Sequence, residues 1–320
     1  MVVLITGGSG FIGSNVCEFY ARSNQRIVSF DLNPFDFDES DARNITFRKG
    51  DVTNFQDLSA VVKEEQVDGI ISAAAIVGAD PVPLRALAVN CVGTANALEC
   101  ARLLDVKRVV YVSSNSVYGI RKDLLPVKED DSPNTVRVYE SLKLMGEQIC
   151  RIYKNNYGIE VIIVRPSIVY GPRSVYSHPP NMVMKILSSA ISGKSFHLSG
   201  GAGDHLDYVY VKDVARGIAL VQSQSKLAYD RYNIASGFSP SPIEIAEIVK
   251  GIFPNFEYVI GSGFSQQGGG WIQGPLDISR ASADLSYVPT SMKDAILDYS
   301  TWLKNHPDEK RLLEQRASAS

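Results

Sequence analysis

Tyr139-Glu140-Ser141-Leu142-Lys143 sets a phenol and an ammonium four residues apart. On a helix these two side chains share a face, one turn apart. A free tyrosine, with a pKa of ~10, is a poor base at neutral pH. A cation within ~4–6 Å favours the phenolate, and an oxidised nicotinamide nearby would add further positive charge. A solvated helix face would carry the same two residues, so the pair needs company. Ser113-Ser114-Asn115-Ser116-Val117-Tyr118-Gly119 supplies it, following the apolar run Val109–Val112. A hydroxyl at a strand end can hold a substrate oxygen beside a phenol, although a Ser/Asn turn would have the same composition.

A second group of residues points to phosphate chemistry. Val2-Val3-Leu4-Ile5-Thr6 runs into Gly7-Gly8-Ser9-Gly10-Phe11-Ile12-Gly13. Glycine has no Cβ, so such a turn lets main-chain N–H groups approach a pyrophosphate. The helix opening behind it adds partial positive charge. The glycine spacing is three and three, not the two and three of G-x-G-x-x-G, and a tight packing turn would use the same residues. Asp31 ends the next apolar run (Ile27 to Phe30), 18 residues after Gly13. That is near the ~20-residue offset of a carboxylate that accepts from an adenosine ribose.

These residues need a frame to meet. Strand-like runs at 2–6, 26–31, 45–49, 69–73, 107–113 and 160–165 alternate with helix-like runs at 11–22, 55–66, 84–104 and 138–157. The alternation predicts an α/β fold, a doubly wound parallel sheet of Rossmann type with a smaller C-terminal α/β substrate domain. In such sheets the ligand crevice lies outside the strand C-termini, where the glycine turn, Asp31 and the later strand ends converge. Residues 1–170 are assigned to the dinucleotide-binding domain and 171–310 to the substrate region, part of which returns to the first domain near 205–235. Helices are expected near 181–192, 212–224 and 291–304, a strand at 208–211, and a frayed tail at 311–320. Gly261 to Gly274 reads as a surface loop or a lid over substrate, with Phe264 and Trp271 available to cap a ligand.

Bulk properties narrow the function. A net charge of −3 gives no polyphosphate-binding signature, so no nucleic-acid partner is expected. No apolar stretch approaches the ~18 residues of a membrane span. The first strand begins at Val2, which leaves no room for a signal peptide. Four scattered cysteines without C-x-x-C spacing fit free thiols in a reducing cytoplasm, and the four histidines lack metal-ligand spacing, so no metal is expected.

Taken together the chain resembles the extended short-chain dehydrogenase/reductases, the group containing the NAD-dependent sugar epimerases and dehydratases. The resemblance covers residues 1–220, with a weaker echo to about 304. It is carried by the T-G-G-S-G-F-I-G opening, Asp51-Val52, Ala73-Ala74-Ala75, Asn90 with Gly93-Thr94, Ser113 to Gly119, Tyr139/Lys143, Arg165-Pro166 with Val169-Tyr170-Gly171-Pro172, and Tyr208 to Val214. It implies NAD as cofactor. Gly7, Gly10, Phe11, Ile12 and Gly13 would then lie at the pyrophosphate and Asp31 at the adenosine ribose. Asp51 and Val52 would flank the adenine, and Ala73, Ala74, Ala75, Asn90 and Pro166 would complete the cofactor site. It further implies Tyr139 as acid/base, Lys143 on the nicotinamide ribose and biasing Tyr139 towards phenolate, and Ser114 as the catalytic hydroxyl. A homodimer through the 84–104 and 138–157 helices follows by the same resemblance.

The departures bear on substrate. The family's 4,6-dehydratases carry Asp and Glu after the catalytic hydroxyl, where this chain has Asn115 and Ser116. A neutral amide and a hydroxyl cannot replace an acid/base carboxyl pair, which disfavours dehydration. Nucleotide-sugar members commonly carry an Asn where Ile168 stands, and an Arg where Leu206 precedes Asp207. A further Arg is usual before the later Asp segment, where Gln273 to Leu276 precede Asp277. Arg173, His205 or Arg280 would have to compensate. The favoured substrate is therefore a sugar-like or sugar-acid-like secondary alcohol, with Asn115, Ser116, Tyr176, His178 and His205 as candidate substrate residues. A nucleotide-sugar 4-epimerase holding NAD tightly is the alternative. A non-catalytic dinucleotide-binding protein would have no need of Ser114, Tyr139 and Lys143.

Overall fold

The computed structural model describes all residues except 24, 38–42, 78–80, 120, 177–178, 266–271 and 319–320. Short runs of buried aliphatic residues build the central sheet: β1 (Val3–Thr6), β2 (Ile27–Asp31), β3 (Ile45–Lys49), β4 (Gly69–Ser72), β5 (Arg108–Val112), β6 (Glu160–Pro166) and β10 (Arg231–Ile234). They pair in the order β10-β6-β5-β4-β1-β2-β3, and every pairing is parallel. The order reverses at β1/β4, the switch point where ligands of such sheets bind. This is the doubly wound Rossmann-type fold.

Because side chains alternate along a strand, both faces are apolar and both are covered. Val3 and Ile5 pack under Val16, Cys17 and Tyr20 of α1 (Phe11–Arg22) and under Val214 and Ile218 of a later helix. Leu4 points the other way, towards Leu58 and Val61 of α2 (Phe55–Glu64) and Ala97 and Leu98 beyond β4.

The stretch expected as one helix over 84–104 is broken. Pro83–Leu87 forms α3, Ala88–Val92 makes a π turn, and Gly93–Leu103 forms α4. The π turn coincides with an inward-facing amide: Asn90 Oδ1 accepts from the Ile76 N–H at 2.8 Å and Nδ2 donates to the Ile76 carbonyl at 3.1 Å. Such bulges widen one helical turn and often mark functional sites. Helix α5 (Val138–Tyr157) opens with Glu140 accepting from the N–H groups of Val136 and Arg137, and ends at Gly158 with φ 70°. At Gly146 a Cβ would lie 2.1 Å from the Tyr111 hydroxyl, so glycine lets α5 close onto β5.

Beyond β6 the chain builds a further apolar cluster. Strand β7 (Ile168–Tyr170) pairs with β9 (Tyr208–Tyr210), and β8 (Phe196–Leu198) pairs with β11 (Tyr258–Ile260). Helices α6 (Met182–Ile191), α7 (Val211–Ser223), α8 (Pro242–Ile252), α9 (Ser279–Leu285) and α10 (Met292–Asn305) follow in order, and α7 returns to cover the sheet beside α1. The buried Asp207 carboxylate ties the parts together, accepting from the Ser167 and Ser236 hydroxyls and the N–H groups of Ser236, Gly237 and Leu276.

The end of the chain departs from the expected frayed tail. Pro307–Ser318 forms helix α11, which buries Leu313 and Glu309. A Glu309 carboxylate oxygen accepts from the Arg173 N–H at 2.7 Å, at a residue with φ 71°. The charged composition suggested fraying; one leucine and one long-range carboxylate contact override it.

Candidate active site

A single cavity of about 670 Å³ lies along the C-terminal ends of β1, β2, β4, β5 and β6. At one end the glycine turn forms its floor. Gly7 sits at φ 70° with its N–H on the Phe30 carbonyl, and a Cβ there would lie 2.7 Å from Ala74 Cα. A Cβ on Gly13 would lie 2.0 Å from the Gly7 carbonyl oxygen. Gly10, Phe11 and Ile12 line the same wall. Asp31 stands at the end of β2, accepting from the Ser9 N–H at 3.1 Å and the Leu32 N–H at 2.7 Å, and it lines the cavity. Asp51, held by both the N–H and the hydroxyl of Thr53, lines it with Val52. Ala73, Ala74 and Ala75 form the middle wall, and Pro166 the far side.

A cradle this tight gives a direct expectation. Gly13→Ala should weaken NAD binding by roughly tenfold or more, ~1.4 kcal/mol or above, because the turn must open to admit the methyl group. Calorimetric titration of the purified variant with NAD checks this.

At the other end Ser114, Asn115 and Ser116 leave β5 and face Tyr139 and Lys143 from α5. Ser114 caps the short turn Asn115–Tyr118 by accepting from the Ser116 N–H, and its hydroxyl hydrogen-bonds to the Tyr139 phenol. Burial pushes the Tyr139 phenol up to about 12, with the Ser114 hydrogen bond opposing. Burial also pulls the Lys143 ammonium down to about 8. The Lys143 Nζ donates to the Val112 carbonyl at 2.7 Å and stands 5.9 Å from the Tyr139 ring centre.

The Lys143 shift has a stability consequence with a definite sign. Between about 8 and its unfolded value of ~10.4, the unfolded chain binds more protons than the folded one. Below that window the buried charge therefore opposes folding, and the penalty fades as pH rises through it. Lys143→Met should melt higher than the parent at pH 7, by on the order of 1–3 kcal/mol. Its advantage should shrink between pH 8 and 10.5 in a pH series of thermal melts.

Other expected site residues lie elsewhere. Asn90 does not line the cavity and acts one step removed, as the clamp on Ile76. Tyr176 is half exposed and outside the lining. His205 Nδ1 pairs with the Ser239 carbonyl at 2.9 Å, away from the cavity. His178 and Trp271 fall outside the described residues, and Phe264 is not part of the lining. The cations considered as compensators are spent: Arg173 pairs with Glu18 at 2.6 Å, and Arg280 pairs with Asp130. The lining also includes Arg85, Val89, Asn181 and Met184, which sequence reasoning passed over. Asn181 was legible as the cap of α6, since its side chain accepts from the Met184 N–H. Arg85 carried no signal beyond lying one turn before Val89. Among the described residues no cluster of His, Cys, Asp and Glu could hold a metal ion, and no helix is long and apolar enough to cross a membrane.

A parallel sheet with a glycine cradle at its switch point and a Ser/Tyr/Lys group across one cavity defines a dinucleotide-dependent class of enzyme. Residues 3–235 match the NAD dependent epimerase/dehydratase family, and the chain belongs to it. A UDP-glucose 4-epimerase of Mycolicibacterium smegmatis is 30% identical over 266 residues, covering 78% of this chain and 82% of the relative. An uncharacterised UDP-glucose epimerase of Bacillus subtilis is 27% identical over 95% of this chain and 98% of its own. Among solved structures, the UDP-glucose 4-epimerase of Thermotoga maritima with UDP-glucose superposes with a TM-score of 0.82 at 22% identity, covering 96% of this chain and 99% of that one. The UDP-glucuronic acid 4-epimerase of Bacillus cereus, in complex with UDP-glucuronic acid and NAD, gives 0.78 at 25% identity, with 95% and 99% covered.

Proposed function

We propose that this enzyme transfers hydride at a secondary hydroxyl or ketone of a sugar-like or sugar-acid-like substrate, with Tyr139 as the acid/base. The observation that carries this reading is the meeting of Ser114, Tyr139 and Lys143 on one wall of the cavity whose other end is the glycine cradle and Asp31. The residues present fit NAD: side-chain-free floor at Gly7 and Gly13, and an Asp31 carboxylate placed for a ribose diol, which a 2′-phosphate would meet with repulsion. NAD, when bound, supplies the hydride acceptor. The protein's part is to orient and to move a proton. The Ser114 hydroxyl holds the substrate oxygen, Tyr139 Oη takes or returns its proton, and Lys143 keeps positive charge beneath both. Asn115 and Ser116 offer an amide and a hydroxyl but no carboxyl pair, which supports net redox or epimerisation over loss of water.

Nucleotide-sugar 4-epimerisation is the second reading, favoured by the names of the relatives. The absence of Arg173, His205 and Arg280 from the lining weighs against a diphosphate handle. Turnover assays with free sugars, sugar acids and UDP-sugars separate the two. Steady NADH formation with a free sugar or sugar acid supports the first. Tightly retained NAD with interconversion of UDP-sugars and no net NADH replaces it with the second.

A homodimer through the 84–104 and 138–157 stretches is part of this reading, supported by the exposed Leu84, Leu103, Met145 and Ile152. Light scattering that finds a monomer at micromolar concentration would count against it. The four cysteines, all buried and unpaired, fit a reducing compartment such as the cytoplasm.

A further inference from the structure

The Tyr139 end of the cavity carries one guanidinium that the proton chemistry does not use. Arg85 lines the cavity one helical turn before Val89, which also lines it. Its chain neighbour Ala86 is fully buried in the small cluster that includes Tyr139, Val138 and Leu142, which fixes this stretch beside the phenol and away from the adenosine end. The carboxylates in the described lining are Asp31 and Asp51, both at that opposite end. Arg85 makes no ion pair or hydrogen bond with the described residues. The other cation of the lining, Lys143, spends a hydrogen bond on the Val112 carbonyl. Arg173 and Arg280 are paired to carboxylates elsewhere.

A second observation places a polar ligand at the same end. Ser116 Oγ is buried, lines the cavity and has no hydrogen-bond partner. Beside it, Asn115 Nδ2 donates to Gln273 Oε1 at 3.3 Å. A buried hydroxyl without a partner costs free energy that a bound hydroxyl or carboxylate would relieve. An exposed arginine that lines a cavity with no acid of the described lining at its end can take an oxyanion in bidentate fashion.

We propose that Arg85 binds an oxyanion of the substrate, with Ser116 hydrogen-bonding the same molecule. This makes Arg85 the residue that selects an acidic sugar over a neutral one. The proposal rests on the reading of the cavity as a sugar-like substrate site and names the charge that site takes. Two sources of the oxyanion share this chemistry, a carboxylate of a sugar acid and a phosphate of a sugar phosphate or nucleotide sugar.

The test uses the NAD-loaded protein and its Arg85→Gln and Arg85→Lys variants, titrated calorimetrically with D-glucuronate, D-glucose, D-glucose 1-phosphate and UDP. The expected result is binding of at least one anionic probe in preference to glucose. Arg85→Gln should weaken that binding about 10- to 100-fold, and Arg85→Lys should recover part of it. Preference for glucuronate identifies the carboxylate, and preference for glucose 1-phosphate or UDP identifies the phosphate. An anionic probe that binds the parent and Arg85→Gln equally overturns the proposal, as does binding of none of them. Loss of NAD affinity in Arg85→Gln also overturns it, by giving the guanidinium to the cofactor. These are binding measurements, so they stand apart from the hydride reading, which fails separately if Tyr139→Phe retains turnover.

Discussion

Tyr139→Phe should lower kcat by about 10²–10⁴-fold while NAD binding is retained. The phenol ring packs against Ala86, Cys91 and Leu142, so phenylalanine keeps the wall and removes the oxygen alone. Ser114 would then face the substrate oxygen without a partner able to take its proton. Stopped-flow or steady-state assays for NADH, paired with calorimetry for NAD, read the two quantities separately. The pH dependence has a defined direction. With the phenol pushed up to about 12 by burial, the unliganded site at neutral pH holds a neutral Tyr139, ready to donate. Positive charge entering the cavity favours the phenolate. The oxidative direction should therefore quicken as pH rises from 6 to 9, and the reductive direction should slow. Full activity in Tyr139→Phe would remove the proton path assigned here.

The second large effect lies beneath the site, in a buried charge network. Arg165, 1% exposed, donates from Nε and Nη2 to the two Glu147 carboxylate oxygens at 2.8 and 2.6 Å, and from Nη1 to the Tyr118 hydroxyl and the Glu129 carbonyl at 3.0 Å each. Glu147 also accepts from the Ser113 hydroxyl at 2.6 Å, and Tyr118 donates onward to Asn233. Glu147 is one turn beyond Lys143 on α5, so the network pins that helix to β5, β6 and β10 together. Glu147→Ala leaves a buried guanidinium without its counter-charge, a loss of about 3–5 kcal/mol. For a chain of this length that corresponds to a fall in Tm of roughly 4–7 °C, read by calorimetry or thermal melts. Glu147→Met combined with Arg165→Met should recover most of the loss, because no unpaired charge is then buried. If the single variant matched the double, the pair would not be coupled.

The sheet was legible because its signals are local. Each of β1, β2 and β4 to β6 is a run of aliphatic residues bounded by polar or glycine breaks, and α5 carries its apolar spacing and its terminal Gly158 in plain view. The glycine turn and the Tyr139/Lys143 pair are short-range patterns of the same kind. The π turn at Ala88–Val92 was not legible, since it coincides with a clamp from Asn90 to Ile76, fourteen residues away. Helix α11 was read as a tail because half of its residues are charged; its place is set by Leu313 and by Glu309 reaching Arg173 across 136 residues.

Sequence alone therefore determined the alternation of strands and helices over the first 170 residues and the glycine turn, because near-neighbour sterics and periodicity govern both. Tertiary structure decided which cations remain for a ligand. Arg173, Arg280 and His205 are consumed by Glu18, Asp130 and the Ser239 carbonyl, while Arg85 faces the cavity. It also buries Tyr139 and Lys143, which pushes the phenol up and pulls the ammonium down. Both outcomes depend on what lies within a few ångströms across distant segments, since desolvation and charge pairing act through space and not along the chain.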